Sequence, residues 1–163
     1  MKILSMKTTI FLGAMLSLLV CLMFTGCSNS ETNSTSRGLT DFAHIEEEYL
    51  ATIDSLDWPD GVELPKKLEN EDTGASFQVG YGETRASYLW EYSWMKEWLD
   101  TYNTDPERAE KALEELEKAF DMPYMGIDRC DDATRNYLRE NIDKAKLGDP
   151  SGFTESIRAN YAN

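Results

Sequence analysis

The sequence predicts a mainly α-helical fold: a small single-domain bundle of four to five helices that follows a disordered tether. Apolar residues recur three and four positions apart through most of residues 39–163, which is the period of an amphipathic helix. Helix start and stop signals, such as Asp105-Pro106 and Gly148, divide this stretch into separate helices. Its length of about 125 residues is that of one ordinary domain.

Residues 1–26 have the features of a signal peptide. Lys2 and Lys7 precede residues 8–24, a run without any charged side chain, and this arrangement is typical of an export signal. The run is about as long as the shortest membrane-spanning helices, so an uncleaved signal anchor is the alternative to a cleaved peptide. The residues that follow the run favour cleavage.

The motif Phe24-Thr25-Gly26-Cys27 resembles the lipobox of bacterial lipoproteins, although Phe24 stands where leucine is usual. The resemblance implies that Cys27 carries a diacylglycerol lipid, with palmitate-like chains, and becomes the first residue of the mature protein. Residues 28–38 contain no apolar side chain and are rich in Ser, Thr and Asn, so we expect residues 27–38 to form the tether. The implied location is the extracytoplasmic face of the bacterial cell membrane.

The domain is predicted to begin with a helix over residues 39–56, where three glutamates fall between the apolar positions. Trp58-Pro59 ends this helix, because a residue that precedes proline disfavours the helical conformation. Residues 75–82 then place apolar side chains at alternate positions, which favours a strand. Since no second alternating run offers a partner, an extended loop is an equally good prediction for this segment.

The next helix is predicted over residues 83–102, a stretch without glycine or proline. It carries four aromatic residues at successive steps of four, which we name the aromatic ribbon: Trp90, Trp94, Trp98 and Tyr102. On a helix these rings lie along one side and drift by about 40° per step. Flanking apolar residues widen this side to more than half of the circumference, so we expect this helix to be central.

A further helix is expected to start at Asp105-Pro106, because aspartate caps a helix and proline fits its first turn. The link to the preceding helix is short, so the two helices should form an antiparallel hairpin. On the solvent side we expect charge pairs between residues four positions apart. These pairs are Glu110 with Glu114 and, with opposite charges, Lys111 with Glu115 and Glu114 with Lys118.

Two more helices are predicted in the last part of the chain. One begins near Asp131 or Asp132 and runs to Leu147, and a short closing helix covers residues 151–161. The acidic residues 128–132 lack the alternate spacing and the terminal glutamate of a calcium loop. Helix capping by one of these aspartates is therefore the preferred interpretation, and no metal site is predicted.

Charge excludes one class of function. The chain has 16 basic and 30 acidic residues, and loss of the two lysines of the signal peptide lowers the net charge from −14 to −16. Such a charge repels phosphates, and no cluster of lysine and arginine reverses it locally. Nucleic-acid binding is therefore not expected, whereas solubility or attraction of cationic partners is.

The aromatic ribbon has two interpretations. Its rings, together with nearby glutamates, resemble a platform on which sugar rings stack, and cell-wall glycans lie within reach of a tethered protein. The preferred interpretation is that the rings form the core of a domain without disulfides. The candidate binding residues are Trp90, Trp94, Trp98 and Glu91, and the other nearby carboxylates are Glu83 and Glu97.

Residues for catalysis are scarce. His44 is the only histidine and lies beside three glutamates, and no serine or cysteine stands in a nucleophile motif. His44 is therefore expected at the surface, and no catalytic residue or cofactor is predicted. Once Cys21 is removed and Cys27 is lipidated, Cys130 has no partner for a disulfide. We expect it to be a packed residue rather than a reactive thiol.

The predicted function is that of a lipid-anchored envelope protein, a non-enzymatic module that contacts another protein or wall polymer. Residues 79–99 resemble uncharacterised envelope lipoproteins of Gram-positive bacteria, which adds no functional residue. The alternative is a small enzyme or carbohydrate-binding module that acts on wall polymer with carboxylates and the aromatic ribbon. An enzyme needs a concave pocket where acids and exposed aromatics meet, whereas an interaction module should bury its tryptophans.

Overall fold

A computed structural model describes residues 38–161 of the chain. The signal peptide, the lipid on Cys27 and nearly all of the tether lie outside the described residues and remain predictions. The mainly α-helical fold class is confirmed, because the described part contains five α-helices and one small two-stranded sheet. The elements are β1 (Leu39–Thr40), α1 (Phe42–Ser55), β2 (Phe77–Gln78), α2 (Tyr81–Thr101), α3 (Pro106–Glu117), α4 (Asp132–Lys146) and α5 (Ser151–Asn160).

The start of the domain differs from its prediction. Leu39, which was expected in the first helix, lies in β1 and faces Gln78 of β2 in an antiparallel pair. The helix begins three residues later, because the side chain of Asp41 accepts a hydrogen bond of 3.0 Å from the backbone N–H of His44. A strand after residue 75 is thus confirmed, and its partner was missed because two residues are too few to show alternation.

Helices α1 and α2 touch at Gly82. A Cβ atom added there would lie 1.9 Å from the backbone oxygen of Ile45, so the two backbones approach as closely as glycine allows. On the same side, the carboxylate of Glu48 accepts hydrogen bonds from the N–H groups of Gly80, at 2.7 Å, and of Gly82, at 3.1 Å. A negative charge is favourable at the start of a helix, so Glu48 fixes α1 on the first turn of α2.

Helices α2 and α3 form the predicted antiparallel hairpin. The guanidinium of Arg108 donates two hydrogen bonds to Glu97, at 2.7 and 3.0 Å. One turn further along α3, the ammonium of Lys111 lies 5.6 Å from the ring centre of Trp94, which is one turn earlier on α2. Partners that advance on one helix while they recede on the other define antiparallel packing. Asp105 caps α3 as predicted.

The two predicted ion pairs of α3 are wrong. The ammonium of Lys118 contacts Glu115 at 2.6 Å instead of Glu114, because Glu115 lies three positions away on the half of the helix that turns inward. Lys111 lies over the Trp94 ring and makes no ion pair with Glu115 in the described part of the chain. The hydrogen bond to Glu115 and, to a smaller extent, the charge of Glu114 raise the pKa of Lys118, but Glu114 forms no ion pair among the described residues.

Helices α4 and α5 complete the bundle. The side chain of Asp131 caps α4 through the N–H of Thr134, at 2.8 Å, and Gly148 ends it with a left-handed backbone. The core has two clusters, one where α1 packs on the first half of α2 and a larger one where α2 meets the later helices. The larger one includes the three tryptophans of α2 with Leu116, Leu138, Ile142 and Phe153.

Candidate functional site

The three tryptophans of the aromatic ribbon lie inside the bundle, whereas Tyr102 is partly exposed. The three indoles of α2 are each at most 2 % exposed. The indole N–H groups of Trp90 and Trp94 both donate to the backbone oxygen of Asp57, at 2.8 and 3.2 Å, so burial leaves neither without a partner. Trp98 stacks on Tyr102 with ring centres 4.6 Å apart and meets the edge of Phe153 at 5.3 Å.

This burial confirms the interpretation of the ribbon as core. It also corrects the alternative of a sugar-stacking platform, because the faces of Trp90, Trp94 and Trp98 are covered by other side chains and offer no open surface to a sugar ring. The two further carboxylates of that alternative are also engaged. Glu97 is held by Arg108 and Glu83 by Arg129.

Glu91, the fourth candidate of that platform, is a buried carboxyl group. It is 7 % exposed and accepts a hydrogen bond of 2.8 Å from the hydroxyl of Tyr124, which lies in the 3₁₀ turn between α3 and α4. Burial disfavours the ionised form and raises the pKa of Glu91 to about 7, against the opposing effect of the Tyr124 hydrogen bond. Burial and the neighbouring Glu91 charge raise the pKa values of Tyr124 and Tyr161 as well.

The remaining candidates have structural roles in the described residues. His44 is exposed, as predicted, and its Nε2 lies 3.3 Å from Glu48. Asp131 caps α4, and Asp132 pairs with Arg135. Within residues 38–161, no three histidine, cysteine, aspartate or glutamate side chains group as metal ligands would.

Cys130 is partly buried, and its sulfur lies 3.5 Å from the sulfur of Met125. Burial raises the pKa of its thiol, which reduces the thiolate fraction and with it the reactivity. The prediction of a packed cysteine agrees with this setting.

A concave surface not foreseen from the sequence lies between the helical hairpin and the end of α4. It is an open groove of about 490 Å³, which we name the acidic groove. Its apolar wall is formed by Trp98, Tyr102, Pro106, Ala109, Leu113 and Ala145. The charged side chains along it are Glu110, Glu114, Glu117 and Lys146.

The cations near the acidic groove are already engaged. Lys146 pairs with Glu117, and Arg108 pairs with Glu97. Lys111 lies over the ring of Trp94, and Lys118 pairs with Glu115. Glu110 and Glu114 are exposed and make no ion pair among residues 38–161. The groove thus combines an apolar wall with two carboxylates that form no ion pair within the part of the chain that the structure describes.

A signal for this groove exists in the sequence. Pro106, Ala109, Leu113 and Glu117 recur three and four positions apart, which places them on one side of a helix. Three of these four side chains are apolar and form a stripe on α3. Which part of the stripe stays uncovered depends on where α4 ends, and local spacing carries no information about that contact.

Comparisons with protein-family models, with curated proteins and with solved structures gave no match to this chain. The geometry of the described residues therefore carries the functional inference without support from a relative. None of the helices in residues 38–161 combines the length and the apolar character needed to cross a bilayer.

Proposed function

We propose that this chain is a lipid-anchored protein of the bacterial cell envelope, whose acidic helical domain is a non-enzymatic interaction module on the extracytoplasmic face of the membrane. Its partner is an envelope protein or wall polymer. The proposed role in binding rests on the observation that the core and the open groove are formed by different surfaces of the helices. The tryptophans fill the interior, whereas the acidic groove, with its apolar wall, remains open on α3.

The anchor rests on the motif that ends at Cys27. Small residues, Thr25 and Gly26, precede the thiol and follow a long uncharged run, as the lipoprotein pathway requires. One acyl chain gives only reversible membrane binding, whereas two chains, at about 0.8 kcal/mol per buried methylene, hold a protein stably. A diacylglyceryl group on Cys27 would therefore retain the domain without any membrane-spanning helix.

The interaction module is favoured over a hydrolase by the setting of the groove carboxylates. An acid that protonates a glycosidic oxygen works from a partly dehydrated site with a second carboxylate placed across the bond. Glu110 and Glu114 are both exposed on one helix, and Glu117 is bound by Lys146. The buried Glu91 is hydrogen-bonded to Tyr124 and is not among the residues that line the acidic groove.

The anchor is tested by labelling with radioactive palmitate in a bacterial host. Cys27→Ala should abolish the label and either release the protein from membranes or block its processing. The chain supplies matched controls, because Cys21→Ala and Cys130→Ala remove a thiol elsewhere and should leave labelling unchanged. A Cys27→Ala protein that is labelled, trimmed and retained like the wild type would overturn the anchor.

The absence of catalysis has its own test. After cross-linking of intact cells, the protein should co-purify with a defined envelope protein or with wall polymer. Purified protein incubated with wall polymer should release no soluble fragments. If repeated preparations release soluble fragments from wall polymer, the protein is an enzyme, and the proposal of a non-enzymatic interaction module is wrong.

A further inference from the structure

We propose that the acidic groove binds a cationic, amphipathic segment of a partner protein, with an apolar side chain against the groove wall and lysine or arginine beside Glu110 and Glu114. This inference rests on the proposed interaction module and names the chemistry of its partner. It depends on three features: the shape of the groove, its unbalanced charge and an exposed leucine at its margin.

The groove has the size and lining for side chains of a protein segment. A volume of about 490 Å³ lies within the range of ligand sites, and the groove is open on one side, so a chain can lie along it. The partly exposed Tyr102 and Leu113 and the exposed Pro106 offer aromatic and aliphatic surface on the α2–α3 hairpin. An apolar side chain that enters would exchange water for this surface.

The charge of the groove favours a cation. Glu110 and Glu114 lie four positions apart on one helix, where like charges repel each other. Lys111 lies over Trp94 and Lys146 binds Glu117. Lys118 lies near enough for the charge of Glu114 to act on it, but its ammonium is bound to Glu115, so neither groove glutamate forms an ion pair among residues 38–161. A lysine or arginine from a partner would supply the missing counter-charge, whereas an anionic partner would add to the repulsion.

The margin of the groove carries an exposed apolar side chain. Leu147 is 88 % exposed, and both of its chain neighbours, Lys146 and Gly148, line the groove. The left-handed backbone at Gly148 turns the chain directly after α4, and Leu147, which follows the last helical residue, stays exposed there. A partner segment in the groove would cover it.

The test measures binding of a dye-labelled hexapeptide by fluorescence anisotropy. The probe is acetylated and amidated and has two central leucines with two lysines on each side. The protein is the full chain in phosphatidylcholine nanodiscs, and empty nanodiscs give the background. We expect saturable binding that weakens as salt is raised, and no binding of the matching peptide with glutamate in place of lysine.

Two pairs of variants locate the binding. Glu110→Gln with Glu114→Gln should raise the Kd about fivefold or more, whereas Glu107→Gln with Glu140→Gln removes two exposed charges elsewhere and should leave it nearly unchanged. Leu147→Ser should weaken binding, and Ile127→Ser, at a site 85 % exposed outside the groove, should not. All six positions are exposed, so the variants should fold.

If both charge variants weaken peptide binding equally, the peptide is attracted to the whole acidic surface of the protein. This outcome would overturn the proposal that the acidic groove is the binding site. Absence of peptide binding, or preference for the glutamate peptide, would overturn it too. These outcomes leave the proposed function standing if the palmitate label on Cys27 and cross-linking to an envelope partner are observed. If Cys27 carries no palmitate label but the peptide still binds, the proposed lipid anchor is wrong and the proposed binding by the acidic groove stands.

Discussion

Glu91 is the side chain at which burial and charge conflict most. The carboxyl lies in the core beside Tyr124, and its only hydrogen bond among the described residues comes from that hydroxyl. Because burial raises its pKa from 4.5 to about 7, the folded protein holds a proton there at pH values at which the unfolded chain has released it. The stability of the domain is therefore linked to the protonation of this group.

The direction of the pH dependence follows from proton counting. Between about pH 4.5 and pH 7 the folded state binds more protons than the unfolded state, so stability falls as pH rises through this window. The shift corresponds to about 3 kcal/mol, with the favourable contribution greatest in acid. Glu91→Gln should remove this component, because glutamine does not titrate and still accepts the Tyr124 hydrogen bond.

Urea unfolding, followed by tryptophan fluorescence at about pH 5 and about pH 8, measures the effect. Between the two pH values, the free energy of unfolding of the wild type should fall by about 2.5 kcal/mol more than that of the Glu91→Gln variant. Other carboxylates titrate in both proteins and cancel in the difference. Glu110→Gln, at an exposed position, serves as the control and should keep the wild-type slope. An unchanged slope in Glu91→Gln would show that this carboxyl is ionised in both states.

Single residues were predictable from the sequence only where their neighbours on one helix decide their environment. The tryptophans of α2 lie on one side at steps of four, and that spacing was enough to predict the core. Glu91 follows Trp90 directly and was considered as a contact for sugar hydroxyls. Its hydrogen-bond partner in the core, Tyr124, lies 33 positions further along the chain, and no local pattern reveals such a contact.

At the scale of the helices, the contact between α1 and α2 depends on a missing side chain. Gly82 lies in the first turn of α2, against the backbone of α1. Glycine in a helix is usually unfavourable, since it gives up more conformational freedom than alanine. Here the close approach allows the carboxylate of Glu48 to reach two N–H groups at the start of α2.

Gly82→Ala should therefore destabilise the domain, although alanine is the better helix former by about 1 kcal/mol. A methyl group would lie 1.9 Å from the oxygen of Ile45, and a backbone oxygen cannot rotate away. We expect a loss of about 2 kcal/mol or more in the free energy of unfolding, measured with urea. Gly74→Ala is the control, because its nearest contact, 3.4 Å from Asp72, is ordinary. Equal stability of both variants would contradict the close approach.

Helix limits could be predicted where a cap marks them. Asp105 and Asp131 both accept the expected backbone hydrogen bonds, and Gly148 ends α4 as its position suggested. The first helix was placed too early, because Leu39 fits the apolar period but pairs with β2 instead. The cap at Asp41, which explains the true start, is a signal that the apolar period concealed.

For the whole molecule, the acidic charge is the dominant property. The full chain has a net charge of −14, and folding brings its many carboxylates closer together than they are in the unfolded chain. The resulting repulsion destabilises the folded state. Salt screens charges separated by more than about 10 Å at 0.1 M ionic strength, so it should relieve this repulsion. We expect the melting temperature to rise by a few degrees between about 20 mM and about 500 mM NaCl.

Thermal unfolding followed by circular dichroism measures this shift. The variant with Glu110→Gln and Glu114→Gln carries two charges fewer and should show a smaller rise than the wild type. A melting temperature that falls with salt would mean that attractive ion pairs, such as that between Arg108 and Glu97, outweigh the repulsion.

The assembly of the whole domain was the least predictable level. Fold class followed from helical periods, which each helix carries in its own sequence. The acidic groove requires the end of α4 to lie beside the α2–α3 hairpin, and Lys146 meets Glu117 from 29 positions away. Such distant contacts determine which part of an apolar stripe is covered, and a single sequence does not encode them in any spacing.

The short strand pair has a mechanical consequence for a protein held by its N-terminal side. In the proposed anchored protein, tension from the membrane arrives through residue 37 at Gly38, whose backbone oxygen accepts a hydrogen bond of 3.0 Å from Val79. The force is therefore shared by two routes: the backbone that continues from Gly38 into α1, and the hydrogen bond from Val79, which lies just before α2. Glu48 joins these two helices, so a pull on the tether acts on a closed loop of contacts rather than on one helix end.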